Sequence, residues 1–163
     1  MLVKRIIIFI VACFWITISI DGYAQLNCDP DNSDLENPDL RILTDSSIKY
    51  GFGYYCGKSG MPPAGRQAID RLVKLNDFES IKAVLDGQNN VGKIYAIEAL
   101  LRFKNKYVLT GSDKEKIKGI INQDYLIDRC QGCFVSSIKT IDLFNEKEYS
   151  KLLTKNGIQI KNR

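Results

Sequence analysis

The sequence predicts an all-α protein: a short α-solenoid of two to three antiparallel helix pairs with an irregular, disulfide-tied N-terminal segment. Two internal repeats support this fold class. The stretch AIDRLVKL at 68–75 recurs as AIEALLRF at 96–103, and DFESIKAVL at 77–85 returns as DKEKIKGII at 113–121. Repeated helix pairs bury a shared core by stacking on their neighbours, which indicates a scaffold and no particular chemistry.

The N-terminus has the pattern of a secretory signal peptide. Lys4 and Arg5 precede an apolar run at 6–20, and Gly-Tyr-Ala at 22–24 offers a cleavage site. The run is shorter than the roughly 20 residues of a membrane-spanning helix. We expect residues 1–24 to be removed and the mature protein to be periplasmic or secreted, without a membrane span. An uncleaved anchor is the open alternative.

The cysteine count fits a periplasmic or secreted protein. Cleavage removes Cys13 and leaves four cysteines, which are Cys28, Cys56, Cys130 and Cys133. An even number in an exported chain predicts two disulfides, with three possible connectivities.

The chain contains no histidine. Ser-His-Asp catalysis, Cys-His catalysis and histidine-ligated zinc are therefore excluded, and we expect no cofactor and no metal. Basic residues alternate with acidic ones along the predicted helices, as they do on solvated helix faces. The pattern does not indicate a nucleic-acid partner.

Residues 25–62 read as an irregular segment rich in glycine and tyrosine, with turn signals at Asp29-Pro30 and Asn37-Pro38. The helical-repeat domain is expected at 63–163. Its first pair has helices at about 64–75 and from 78 onward, because the apolar residues follow the helical period there.

The second pair of this domain has helices at about 91–103 and 113–121. Capping-box patterns at 76–79 and 112–115 mark where the second helix of each pair begins.

A third, degraded pair is expected after residue 134. Asn-Glu-Lys-Glu at 145–148 repeats the box pattern, and Ile138, Ile141 and Phe144 follow the helical spacing. The first element of this unit could instead be a strand, because Phe134-Val135 and the residues at 138–141 are rich in aromatic and β-branched side chains.

Antiparallel helix pairs of this kind resemble HEAT-like repeats, an α-solenoid family. The resemblance covers residues 64–156 and rests on the repeat pattern. Members of this family mostly bind other proteins, so the resemblance implies a protein-binding function.

The motif that most specifically indicates a chemical activity is Cys130-Gln131-Gly132-Cys133. With Arg129 beside it, the motif is compatible with a thiol–disulfide oxidoreductase in which Cys130 is the nucleophile and Cys133 the resolving thiol. The alternative is a structural disulfide, either between these two cysteines or between each of them and one of Cys28 and Cys56.

The aromatic cluster Tyr50, Phe52, Tyr54 and Tyr55 is the best candidate for a binding site. Tyrosines on a glycine-rich loop provide large, rigid contact areas with a polar tip, as binding hot spots do. The cluster could instead cover the open end of the solenoid.

These observations predict an exported, non-catalytic protein-binding or scaffolding module, with the oxidoreductase as the alternative. We expect a monomer whose partner is another protein of the cell envelope or exterior.

Overall fold

The computed structural model describes residues 37–160, and the expected signal peptide and Cys28 lie outside this range. The described residues form seven helices and two strands, which are α1 Pro38–Thr44, α2 Ala64–Leu75, α3 Phe78–Val84, α4 Asn90–Arg102, α5 Gly111–Asn122, β1 Leu126–Gln131, β2 Phe134–Lys139, α6 Thr140–Asn145 and α7 Lys147–Lys155. Helix α1 lies inside the segment that the sequence predicts to be irregular.

The all-α prediction is wrong, because β1 and β2 form an antiparallel hairpin, and β2 occupies the beginning of the region where the third helix pair was expected. The two-residue loop Gly132-Cys133 joins the strands, and Gly132 has a φ of 61°. A positive φ at the first loop position is what a type II′ hairpin turn requires. The strand alternative for Phe134-Val135 is therefore the correct one. The helices α6 and α7 follow it, and α7 lies where the second helix of the third pair was expected.

The solenoid prediction also fails, because α4 is the centre of a single core. Its residues 94–101 are all buried, and α1, α2, α3, α7 and β1 contact the helix. In a solenoid each repeat contacts only its neighbours. The apolar surface of α4 extends beyond one face, because it includes Tyr95, Ala96 and Ala99. A helix that is apolar on all sides is buried on all sides.

The helix starts differ from the expected capping boxes. Asp77 is the N-cap of α3, whereas Asn76 ends α2 in a left-handed conformation. Helix α5 begins after Thr110, which forms a capping box with Asp113. Glu146 precedes α7 without a side-chain cap. Asparagine tolerates positive φ, so the same residue type marks helix ends as well as helix starts.

A disulfide joins the segment before α2 to the hairpin. Cys56 is bonded to Cys130, at a sequence separation of 74. Beside this bond, the Phe52 N–H donates to the Asp128 carbonyl and the Cys130 N–H donates to the Phe52 carbonyl, both at 2.7 Å. The backbone around Phe52 therefore lies alongside β1, parallel to it.

The carboxylate of Asp113 completes the start of α5. It accepts hydrogen bonds from the Thr110 N–H at 2.9 Å, the Thr110 hydroxyl at 2.8 Å and the Tyr107 hydroxyl at 3.0 Å. Burial by itself would raise the pKa of Asp113, but these bonds hold it below its ordinary value. The resulting stabilisation is present above the ordinary carboxyl pKa and is lost as pH falls through the lower folded-state pKa.

Removal of the disulfide by replacing Cys56 and Cys130 with serine is expected to lower the free energy of unfolding by about 2–4 kcal/mol, because the bond closes a long loop in the unfolded chain. Urea unfolding of the oxidised protein measures the loss. Cys133→Ser is the control and is expected to change stability by less than about 0.5 kcal/mol. Equal stability of all three proteins would contradict the structural role of the bond.

Asp113→Asn is expected to lower the free energy of unfolding by about 1 kcal/mol at pH 7, because the charged acceptor at the helix start is lost. The difference from the wild type should shrink between about pH 5 and pH 2, where the wild-type carboxylate is protonated. Urea unfolding of both proteins across this pH range measures the difference. Glu115→Gln, at an exposed position of the same helix, is the control. A difference that does not change with pH would be the contrary result.

Candidate functional site

Exposed apolar side chains are concentrated at the hairpin. Eight large apolar residues are exposed within the described part of the chain. Leu75 and Val108 lie elsewhere. The other six are on the hairpin or on the segment that runs beside it, and we call them the hairpin surface: Tyr54, Tyr55, Met61, Leu126, Phe134 and Val135. They lie on both faces of the hairpin, because Phe134 and Val135 are consecutive in β2 and consecutive side chains of a strand point to opposite faces. Single exposed apolar residues are normal, whereas several around one element indicate an interaction site.

Backbone hydrogen bonds hold the two parts of the hairpin surface together. The Gly132 N–H donates to the Tyr55 carbonyl at 3.3 Å, and the Gly57 N–H donates to the Gly132 carbonyl at 2.8 Å. The Cys56 N–H donates to the Met61 carbonyl at 2.9 Å. Together with the disulfide, these bonds keep Tyr55 and Met61 next to the hairpin turn. The surface is therefore supported by ordered backbone, which lowers the entropy cost of binding.

The predicted aromatic cluster has one buried, one partly buried and two exposed members. Phe52 is only 2% exposed, and its ring centroid lies 4.9 Å from that of Tyr95. Tyr50 is partly buried and donates its hydroxyl to the Ile42 carbonyl at 2.9 Å. Tyr54 and Tyr55 are 46% and 60% exposed. Phe52 is thus a core residue and Tyr50 packs partly against the core, while Tyr54 and Tyr55 are the exposed members of the cluster.

Tyr54 is held in place by a buried carboxylate on the central helix. Glu98 of α4 is fully buried and accepts the Tyr54 hydroxyl at 2.7 Å. Its other partners are the Arg66 guanidinium at 2.5 Å and the Arg102 guanidinium at 2.8 Å. Both carboxylate oxygens are therefore occupied, which compensates for the loss of hydration. Because Glu98 is fully buried and paired with two guanidinium groups, its carboxylate is not accessible to a substrate in this arrangement.

Arg66 connects the same network to α2. Its guanidinium lies 4.2 Å from the Tyr54 ring centroid and 4.7 Å from that of Tyr95. Burial opposes the charge on Arg66, but the attraction and hydrogen bond of Glu98 leave its pKa above the ordinary value. Burial and the bond to Glu98 raise the pKa of Tyr54 to about 12. Tyr54 is thus a neutral donor at physiological pH, with one ring face on the arginine.

The apolar periodicity of the sequence did not identify this network. One signal for it was present, because Glu98 is the only charged residue at 94–101, where apolar side chains point in every direction. A helix that is apolar on all sides is buried, and a charge inside such a helix needs partners. The identity of those partners, Arg66 and Arg102, follows only from the packing.

The cysteine motif is not a dithiol in this structure. Cys130 is buried and bonded to Cys56, while Cys133 is exposed in the hairpin loop and is not part of that bond. The motif lies at a hairpin turn, whereas a redox-active pair is activated at the start of a helix. The predicted partner Cys28 lies outside the described residues.

A cleft of about 480 Å³ lies beside one face of the hairpin. The exposed Leu126 and Val135 line it on the strand side, and the loop 46–51 and the residues 88–91 at the start of α4 line it opposite. Between residues 37 and 160 there is no group of three or more side chains arranged to bind a metal ion. Two residues of the hairpin surface thus line this cleft, and its opposite wall is largely polar, with Ser46, Lys49, Gln88, Asn89 and Asn90.

Comparison with known proteins adds no further information about function. No protein-family model, no curated protein and no solved structure matches this chain. In the range 37–160, none of the helices is long and apolar enough to cross a membrane. The Cys56–Cys130 disulfide fits a protein of an oxidising compartment outside the cytoplasm.

Glu98→Ala is expected to lower the free energy of unfolding by about 3–5 kcal/mol, because it leaves the buried Arg66 guanidinium with only the exposed Asp70 carboxylate, 3.6 Å away, as its counter-charge. Glu148→Ala is the matched control, since Glu148 also binds Arg102 but its side chain is 62% exposed. That change should cost less than about 1 kcal/mol. Urea unfolding of both variants decides the point, and equal losses would show that the buried network contributes no more than a surface ion pair.

Proposed function

We propose that this protein is an exported, non-catalytic module that binds another protein of the cell envelope or exterior through its hairpin surface. One observation carries the proposal: six of the eight exposed large apolar side chains of the described chain belong to this surface. The disulfide supports the exported location, in the periplasm or the medium.

The composition of the hairpin surface is that of a protein contact. Aromatic residues and methionine are enriched at the centres of protein–protein interfaces. Phe134 is 80% exposed, and Tyr54 and Tyr55 add two aromatic rings. The Tyr54 ring is already ordered by Glu98 and Arg66, so little side-chain entropy is lost when a partner binds.

The oxidoreductase hypothesis requires different chemistry at the same place. It needs Cys130 as a thiolate, whereas Cys130 is bonded to Cys56. Turnover through Cys130 and Cys133 would have to begin by opening that bond. Insulin reduction by the wild type and by Cys130→Ser tests this possibility, and turnover that is lost in the variant would favour the enzyme over the binding module.

The binding proposal predicts that Phe134→Ser combined with Tyr55→Ser abolishes partner retention. The immobilised mature protein is exposed to envelope and culture-medium proteins of the producing cells, and retained proteins are quantified by mass spectrometry. Loss of two apolar anchors should reduce specific retention at least about tenfold, which corresponds to about 1.4 kcal/mol.

The matched control is Leu75→Ser combined with Val108→Ser, which removes two exposed apolar residues outside the hairpin surface. This variant should retain the same proteins as the wild type. If both double variants behave like the wild type, the hairpin surface does not bind a partner and the proposal fails.

A further inference from the structure

Among residues 37–160 no strand pairs with the outer edge of β2, and the hydrogen bonds of β1 show which backbone groups of β2 point outward. Cys130 and Asp128 bond to Phe52 on the side of β1 away from β2. Their cross-strand partners are Val135 and Ser137. Residues opposite each other in an antiparallel pair either bond to each other or both point away. The N–H and C=O groups of Val135 and Ser137 therefore point away from β1.

A second contact confirms this assignment from the other end of the hairpin. The Thr140 N–H donates to the Tyr125 carbonyl at 2.9 Å, which continues the ladder beyond Lys139. Because bonded and non-bonded pairs alternate, Ile138 and Ser136 bond inward to β1. The outward positions are Val135, Ser137 and the N–H of Lys139.

These outward groups have no backbone or side-chain partner among residues 37–160. All residues of β2 except Ile138 are exposed. An unpaired strand edge binds other strands unless charges, proline or a bulge protect it. The sequence Phe-Val-Ser-Ser-Ile-Lys of β2 contains no proline, and its only charge is at the end.

We propose that β2 binds an extended segment of the partner protein, which joins the hairpin as an additional strand. This inference rests on the proposed function and defines its mode. The backbone groups of Val135 and Ser137 supply the hydrogen bonds, and exposed side chains on both faces of the sheet supply specificity. On the face with Val135 and Leu126, alternate side chains of the added strand reach the cleft.

A second copy of this chain would leave Val135 without an apolar cross-strand partner. In a two-fold antiparallel pairing centred on Ser137, which uses every outward position, Lys139 of one copy would lie opposite Val135 of the other. An unrelated segment is free of this constraint. The fitting partner segment is extended, lacks proline and charge at its centre, and carries an apolar residue opposite Val135.

The test compares a variant of Ser137 that lacks the outward N–H with a variant that lacks only the side-chain hydroxyl. Ser137→Pro deletes the N–H on the open edge, a position where strands accept proline. Ser137→Ala also loses the side-chain bond to Asp128 but keeps the N–H. We expect at least a tenfold loss of retention of the envelope proteins for Ser137→Pro and less than a twofold change for Ser137→Ala.

A second measurement does not depend on the folding of the proline variant. Amide hydrogen exchange of wild-type Val135 and Ser137 should slow at least tenfold when the retained protein is bound. Unchanged exchange at both amides, with the protein bound, would overturn strand addition.

The outcomes separate this inference from the function on which it rests. If Ser137→Pro retains the partner while the Phe134 and Tyr55 double variant loses it, the hairpin surface binds proteins by side chains alone and strand addition is overturned. If neither variant loses retention, the proposed function fails and strand addition fails with it. A wild-type dimer in sedimentation that Ser137→Pro abolishes would assign the edge to a second copy, which also overturns the proposal.

Discussion

The position of Glu98 inside the core is the constraint on which the arrangement of the other elements depends. A buried carboxylate is stable only when its charge and its hydrogen-bonding capacity are satisfied. Arg66 of α2 and Arg102 of α4 provide the charge, and Tyr54 provides a hydroxyl from the segment before α2. The carboxylate therefore joins three parts of the chain in one place, and displacement of either arginine would leave the buried charge only partly compensated.

This requirement explains why an irregular segment becomes a well-defined surface. Tyr54 follows Phe52, which bonds to β1, and precedes Cys56, which is linked to Cys130. The segment 52–56 is thus restrained at both ends and in the middle. Phe52 bonds to β1, Tyr54 bonds to Glu98, and Cys56 is in the disulfide. Side chains that do not fit inside, such as Tyr55 and Phe134, are exposed on a backbone that cannot move to bury them. An apolar surface of this origin is ready to bind a partner with a small loss of entropy.

The helices could be predicted because their signal is local. Helix α2 occupies the predicted residues 64–75, and α4 lies within one residue of the predicted 91–103. The region of β2 could not be assigned in the same way, since the spacing of Ile138 and Ile141 fits a helix while Phe134-Val135 fits a strand. Pairing with β1 decides between them, and pairing is a non-local interaction. The internal repeat correctly located helices, but the way in which they pack around α4 depended on Tyr95 and Ala99, which lie outside the repeated apolar face.

The sequence by itself determined the positions of the main helices, the absence of histidine chemistry and the presence of an aromatic segment at 50–55. Each of these follows from composition or from interactions between residues close in the chain. Only the tertiary structure decided that Cys56 pairs with Cys130, that Phe52 is buried while Tyr55 is exposed, and that one edge of β2 has no partner strand within residues 37–160. These features depend on contacts between residues far apart in the chain, and such contacts are selected by the burial of a common core and by the compensation of Glu98.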